Sequence, residues 1–199
     1  MRRLVEAAEE ILRGISEAIR GLDPPQVEGM LESFLIARAE GRKALVVGAG
    51  RSGLVGKAFA MRLMHLGFNI YVMGETITPA VGNGDLVLVI SGSGSTTLPV
   101  TLAERGKGLG AKVIAVTSRP SSPLGAIADL VVNIPGREVM AYEREYHSRQ
   151  LMGEHEPLAP MGTMFEDSCM VFLDGVIAEL MARLEMSEEE MRRKHATIE

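Results

Sequence analysis

Two glycine-rich segments of the chain have the composition of anion-binding loops. Residues 48–53 follow the pattern Gly-x-Gly-x-x-Gly, and in residues 91–96 glycines alternate with hydroxyl side chains. Each segment comes directly after a short apolar run and directly before a helical pattern, so its free backbone N–H groups and a positive helix end face the same ligand. The sequence therefore predicts that both segments contribute to one anion site.

The two segments favour different anions. Gly-x-Gly-x-x-Gly is the fingerprint of dinucleotide binding, and Glu75, after the next predicted strand, offers a carboxylate for a ribose hydroxyl. Hydroxyls combined with backbone amides instead suit a single terminal phosphate, although Ser and Thr also cap ordinary strand-to-helix turns. Arg51 either attracts an anionic substrate or forms an ion pair with Glu75. The candidate binding residues are Arg51, Ser52, Ser91, Gly92, Ser93, Gly94, Ser95 and Thr96.

Glu166, in the last third of the chain, is a candidate for proton transfer. Glu166 follows a Gly-Thr turn and begins a long helical pattern. There its carboxylate either faces a cavity as a general base or complements the helix dipole. Two other reactive residues, His65 and Cys169, lie on apolar helical patterns and are predicted to be packed core residues.

A metal site is not expected. His147 and His155 lie among glutamates, but their spacing matches no compact ligand pattern such as His-Glu-x-x-His. We interpret this segment as a solvated loop.

Short Val, Ile and Leu runs alternate with helical patterns and predict an α/β fold. Near-continuous apolar runs of this kind are typical of strands that helices cover on both faces, as in a parallel sheet. The predicted strands are residues 44–47, 69–73, 86–90, 112–117 and 130–134. The predicted helices are residues 4–19, 26–39, 54–64, 97–109, 124–127 and 161–184, with a last helix that Ser187 caps.

We expect one domain. It divides into N-terminal helices (1–40), an α/β core (41–134), a long polar loop (135–160) and C-terminal helices (161–199). The terminal helices offer more apolar surface than one sheet can cover, which predicts an oligomer. The residues of these apolar stripes are Leu4, Ile11, Ile15, Val176, Ile177, Leu180 and Met181.

The composition excludes several classes of protein. The chain has 199 residues, of which 46% are apolar and 24% charged, as in an ordinary globular protein. Its net charge of −5 argues against nucleic-acid binding. No apolar run approaches the ~20 residues that cross a bilayer, and the start lacks the apolar core of a signal peptide. Since Cys169 is alone, we expect a reducing, cytoplasmic location.

Several strings resemble the sugar isomerase (SIS) domain family and, within it, the 6-phospho-3-hexuloisomerases. The resemblance covers nearly the whole chain. The strings that carry it are residues 48–53, 60–68, 74–79, 91–96, 160–166 and 194–199. Ser95 stands where the family often has a charged residue.

The resemblance implies a three-layer α/β/α sandwich around a five-stranded parallel sheet, no cofactor, and a homo-oligomer, a tetramer, with active sites near subunit boundaries. The implied reaction interconverts D-arabino-3-hexulose 6-phosphate and D-fructose 6-phosphate in formaldehyde fixation or pentose supply, in coupling with 3-hexulose-6-phosphate synthase. For this reaction we assign Glu166 as the proton-transferring base. The resemblance gives His195, reaching a neighbouring subunit's cavity, acid–base work at the sugar oxygens. Without the resemblance, His195 would be a solvated residue or a partner of a helix C-terminus.

Three alternatives stay open at this point. The chain is a non-catalytic sugar-phosphate-binding SIS module, an isomerase of another sugar phosphate, or an NAD-linked redox enzyme that uses the first glycine-rich segment.

Overall fold

A computed structural model describes residues 1–136 and 158–195, in which helices and strands alternate. The helices are α1 (Arg2–Arg20), α2 (Pro24–Ala39), α3 (Gly50–His65), α4 (Thr97–Gly108), α5 (Pro123–Ile127), α6 (Thr163–Arg183) and α7 (Glu188–Arg193). The strands are β1 (Lys43–Gly48), β2 (Asn69–Val72), β3 (Leu86–Ile90), β4 (Lys112–Thr117) and β5 (Leu130–Asn133). Most of the predicted long loop, with His147 and His155, lies outside the described residues.

The five strands form one parallel sheet in the order β2-β1-β3-β4-β5, which confirms the predicted sheet. The chain winds outward in both directions from the β1–β3 pair, in which Gly48 is the register partner of Ile90. Such a reversal leaves a crevice at the carboxyl ends of the two strands, where α/β proteins bind their ligands. Both glycine-rich segments start at this point.

Helices cover both faces of the sheet, because successive strand residues alternate between two apolar clusters. Val46, Leu88 and Val116 face the cluster built with α2, α3 and α6. Val47 and Val89 face the cluster that Ala103 of α4 and Leu124 of α5 complete. The predicted three-layer α/β/α sandwich is therefore confirmed.

The apolar stripe of α6 packs mostly against other elements of the same chain. Val176, Ile177 and Leu180 are buried in the larger core cluster, so they are not the oligomer surface that the sequence suggested. The helix packs there against α3 and α1. Exposed apolar residues do remain on α1, where Leu4 is 65% and Leu12 66% exposed.

Element ends differ from the predicted ones for identifiable reasons. Helix α2 begins at Pro24, two residues before the predicted start, because proline suits the first helical turn. Helix α6 begins at Thr163 and not at Met161, whose φ of 47° is left-handed. The predicted cap of α7 is confirmed: Glu190 N–H donates to Ser187 Oγ at 3.3 Å, and Ser187 N–H donates to Glu190 Oε2 at 2.7 Å.

The two reactive residues predicted to be packed are indeed buried. His65 is 3% exposed, and Cys169 is fully buried, which raises the pKa of its thiol to about 12. Within the described ranges, no helix combines the length and the apolar character that crossing a bilayer requires.

Candidate active site

A cavity of about 580 Å³ opens at the carboxyl edge of the sheet. Strands β1, β3 and β4 end side by side there, and the first turns of α3, α4 and α6 reach it. The predicted site residues that line the cavity are Ser52, Ser91, Gly92, Ser93, Thr96 and Glu166. Arg51, Gly94, Ser95 and His195 are not among its lining residues.

The first glycine-rich segment brings the backbone of α3 against the end of β1. A Cβ atom on Gly48 would lie 2.9 Å from Gly53 Cα, so neither position accepts a side chain without a shift. Ala49 precedes the helix and has no side chain that could cap it. The N–H groups of the first turn are therefore free to meet a ligand beside the buried hydroxyl of Ser52.

One carbonyl group of the second segment accepts three hydrogen bonds from the end of β4 and the residue after it. The Gly92 oxygen accepts hydrogen bonds from Ser118 Oγ at 2.8 Å, Ser118 N–H at 3.1 Å and Thr117 Oγ1 at 3.1 Å. Gly94 adopts a φ of 59°, which glycine tolerates best. These constraints hold the loop in one conformation.

The hydroxyls of this loop remain available to a ligand. Thr96 precedes α4 but its side chain makes no capping hydrogen bond. Its Oγ1 lies 3.5 Å from Ser93 Oγ, and Ser95 N–H donates to Ser93 Oγ at 3.3 Å. Two hydroxyls and the amides of a helix N-terminus thus lie close together at the cavity, as an oxyanion requires.

Glu166 lies in the first turn of α6, and an arginine from α3 holds its carboxylate. Arg51 Nε donates to Glu166 Oε2 at 2.6 Å, and Arg51 Nη2 donates to Asp167 Oδ1 at 3.0 Å. The Glu166 side chain is 15% exposed and that of Arg51 is 58% exposed. The hydrogen bond and charge of Glu166, followed by those of Asp167, raise the pKa of Arg51. The proposed Arg51–Glu75 ion pair is wrong, because Glu75 pairs with Lys57 at 2.7 Å.

His195 lies far from the cavity of its own chain. Its ring stacks on that of His65, with centroids 5.2 Å apart and an interplanar angle of 29°. His65 ends α3, whose first turn faces the cavity, so roughly 20 Å of helix separates the two places. Burial, then the charges of His195 and Arg62, lower the pKa of His65. Within one chain the structure brings Glu166, but not His195, to the loop of residues 91–96, called the hydroxyl loop below.

Several lining residues were not predicted as site residues, among them Ser118, Arg119, Met161 and Phe165. A signal existed for the first two, because they follow β4 at the same sheet edge as the glycine-rich segments. Phe165 packs so closely that a Cβ on Gly92 would lie 2.8 Å from its ring. Nothing in the sequence marks the left-handed backbone of Met161.

The site combines three helix N-termini and several hydroxyls with one partly buried carboxylate. The helix N-termini and the hydroxyls suit an oxyanion, and the carboxylate can move a proton on a neighbouring carbon. In the described part of the chain, no group of three or more His, Cys, Asp or Glu side chains is placed to hold a metal ion. Fold and cavity thus define an α/β protein whose sheet edge suits an oxyanion beside one partly buried carboxylate.

The chain belongs to the SIS domain family, whose sequence profile matches residues 37–142. It is 56% identical to an uncharacterized protein from Aeropyrum pernix over 96% of this chain and 90% of that protein. It is 34% identical to the 3-hexulose-6-phosphate isomerase of Bacillus subtilis over 99% of this chain and 100% of that protein. A Methanococcus jannaschii crystal structure, for which a function as 3-hexulose-6-phosphate isomerase has been inferred, superposes with a TM-score of 0.76 at 33% identity, covering both chains completely.

Proposed function

We propose that this protein is a 3-hexulose-6-phosphate isomerase, also called 6-phospho-3-hexuloisomerase. It interconverts D-arabino-3-hexulose 6-phosphate and D-fructose 6-phosphate without a cofactor. The observation that carries the proposal is that Glu166 and the hydroxyl loop line one cavity. The similarity to the named Bacillus subtilis enzyme over the full chain supports the substrate.

The phosphate group of the sugar binds at the loop of residues 91–96. Ser93 and Thr96 donate hydroxyl hydrogen bonds, and the first amides of α4 and α3 add backbone donors. Ser52 contributes a further hydroxyl from the first turn of α3, after the neighbouring strand β1. With the phosphate group bound at this loop, the carbons of the sugar extend toward α6, where Glu166 lies.

Glu166 moves the proton between the two carbons of the isomerisation. Its carboxylate takes the proton from C2 of the 3-ketose, and the electron pair of the C2–H bond forms the C2=C3 double bond of an enediol. The C3 carbonyl oxygen takes up a proton and the C2 hydroxyl gives one up. Return of the proton to C3 leaves the carbonyl at C2, which is D-fructose 6-phosphate. Arg51 orients the carboxylate through the 2.6 Å hydrogen bond.

His195 completes the site from a neighbouring subunit by managing the protons of the enediol oxygens. Its distance from the cavity of its own chain is consistent with work across a subunit boundary. The exposed apolar residues of α1 support a homo-oligomer, for which we propose a tetramer.

We further propose that residues 1–199 act as a single SIS unit in the cytoplasm, coupled to 3-hexulose-6-phosphate synthase in formaldehyde fixation. The buried, free thiol of Cys169 fits a reducing compartment. The synthase would supply the 3-ketose substrate.

Two alternatives make different predictions. An NAD-linked enzyme needs a carboxylate for the ribose, but Glu75 is engaged by Lys57 and is not among the lining residues of the cavity. Dinucleotide titration tests that alternative directly. A non-catalytic sugar-phosphate sensor would bind D-fructose 6-phosphate but would leave its carbon-bound hydrogens unexchanged.

The decisive experiment follows D-fructose 6-phosphate by proton NMR in D₂O. An enediol route predicts that the C3 proton signal disappears as solvent deuterium enters, and that the 3-ketose accumulates to equilibrium. The Glu166→Gln variant serves as the control, since it keeps the size of the side chain but removes the base. Binding without exchange or product in the wild-type protein would contradict the proposal.

A further inference from the structure

Two arginines, Arg51 and Arg119, lie near the cavity, and among the described residues only Arg51 has a carboxylate partner. Arg51 donates to both Glu166 and Asp167. Arg119 lines the cavity, and its guanidinium has no ion-pair partner within the described residues. We propose that Arg119, and not Arg51, is the cation that binds the phosphate group of the substrate. The proposal rests on the proposed function, since it assumes a phosphorylated ligand.

The backbone of Arg119 is fixed beside the hydroxyl loop. Its N–H donates to Thr117 Oγ1 at 3.2 Å, and its carbonyl oxygen accepts a hydrogen bond from Ser122 N–H at 2.9 Å. The preceding residue, Ser118, donates twice to the Gly92 oxygen. Arg119 therefore projects from a fixed backbone next to Ser118, which is bonded to the loop, and only its side chain has to be ordered when an anion binds.

The charges at the cavity favour such a cation. Of the lining residues that the structure describes, the formally charged ones are Glu166 and Arg119. Arg51 faces two carboxylates with one positive charge, so the cluster of Arg51, Glu166 and Asp167 is net negative. A phosphate dianion is repelled by that cluster. Hydroxyls and amides solvate the dianion but do not neutralise it, whereas a guanidinium does both through its planar set of donors.

The test compares three variants in steady-state kinetics with D-fructose 6-phosphate. Arg119→Gln removes the charge, and Arg119→Lys keeps it while losing the planar donors. Arg105→Gln is the matched control, because it removes an exposed arginine of α4 that does not line the cavity. Loss of a charge-assisted hydrogen bond to the phosphate predicts that Arg119→Gln raises KM about 10- to 100-fold. We expect kcat to stay within about threefold, because the phosphate does not react.

Inorganic phosphate, as a competitive inhibitor, identifies the part of the substrate that Arg119 contacts. Its inhibition constant is expected to rise in parallel with KM in Arg119→Gln, to recover partly in Arg119→Lys and to stay unchanged in Arg105→Gln. A KM within twofold of wild type, or a raised KM with an unchanged inhibition constant for phosphate, would overturn the proposal.

A separate binding measurement keeps this inference distinct from the proposed function. Titration calorimetry with inorganic phosphate and with D-fructose 6-phosphate compares wild type and Arg119→Gln without turnover. If wild type binds both but does not isomerise the sugar, the proposed reaction fails while the weaker binding of Arg119→Gln still supports the anion site. Equal binding by the two proteins would refute the role of Arg119, whether or not the protein is an isomerase.

Discussion

Arg51 and Glu166, 115 positions apart in the sequence, join the first turns of α3 and α6 through a 2.6 Å hydrogen bond from Nε to Oε2. The Glu166 side chain is 15% exposed, so one carboxylate oxygen is held while the group still borders the cavity. A base that transfers a proton between adjacent carbons needs this fixed orientation. The ion pair therefore links the anion-binding edge of the sheet to the proposed proton transfer.

Glu166→Gln is expected to lower kcat by about 10²- to 10⁴-fold, the range for loss of a general base. KM should change little, because the glutamine oxygen can still accept the hydrogen bond from Arg51. Asp167→Asn is the matched control: it alters the other carboxylate that Arg51 contacts, but Asp167 does not line the cavity. A Glu166→Gln protein with kcat near that of Asp167→Asn would exclude Glu166 as the base.

Arg51→Gln is expected to lower kcat about tenfold through loss of orientation of Glu166, with KM close to wild type. Stability should change by less than about 1 kcal/mol, since the Arg51 side chain is 58% exposed and solvent screens its ion pairs. Steady-state kinetics and thermal melts measure the two effects. Lys57→Gln breaks a comparable surface pair with Glu75 and should leave both quantities unchanged. A tenfold rise in KM instead would assign Arg51 to the substrate.

Gly94→Ala is expected to destabilise the fold by about 1–3 kcal/mol and to reduce activity. Gly94 has a φ of 59°, and a Cβ there would overlap Ser122 Oγ, so the hydroxyl loop must shift. Gly175→Ala in α6 is the control, because its Cβ would meet no atom within 4 Å. Alanine inside a helix should stabilise it by about 0.5–1 kcal/mol. Melting temperatures that move in the same direction for both variants would contradict this account.

The fold could be predicted from the sequence because its strands are buried on both faces. Their Val, Ile and Leu runs are nearly continuous, and β3 and β4 end at the predicted residues. The two glycine-rich segments marked the functional edge for the same reason, since each follows such a run. The parallel sheet was therefore predictable from these runs, whereas the SIS family followed from the resemblance of longer strings.

The partners of the charged residues could not be predicted in this way. Arg51 was expected to face Glu75 or the substrate, but the packing of α3 against α6 puts Glu166 and Asp167 beside it. Local spacing carries no information about contacts across more than a hundred residues. The place of His195 on His65 likewise depends on how the last helices pack.

Stability is expected to fall as the pH is lowered through about 6.5. Burial of the His65 ring, with the charges of His195 and Arg62, holds its pKa below the ordinary value of 6.5. Below that pH the His65 side chain takes up a proton in the unfolded chain but stays neutral in the folded chain, so the free energy of unfolding decreases. The decrease levels off below the folded-state pKa of His65. Urea unfolding at about pH 7.5 and pH 5.5, at one protein concentration, measures the loss.

The matched variant for this pH effect is His65→Gln, which is expected to show a smaller loss between the two pH values even if it is less stable at both. His195→Gln should reduce the loss in part, because it removes one of the groups that lower the pKa of His65. Parallel pH profiles of wild type and His65→Gln would show that other groups determine the effect.

Mixing two inactive variants should restore activity if His195 serves the cavity of a neighbouring subunit. Glu166→Gln lacks the base, and His195→Gln lacks the imidazole. In an oligomer with shared sites, a Glu166→Gln chain beside a His195→Gln chain forms one site that contains both native side chains. Random reassortment of paired chains then predicts recovery of about a quarter of the wild-type activity.

Mixing Glu166→Gln with the Glu166→Gln/His195→Gln double variant is the control for this complementation, because no chain then supplies the base. The two chains carry different tags, so that formation of mixed oligomers is verified before activity is measured. Since His195 stacks on His65, about a helix length from the cavity of its own chain, we expect recovery. Mixed oligomers without recovered activity would show that His195 does not act across the subunit boundary. Glu166 would then be the only one of the two residues assigned to the site.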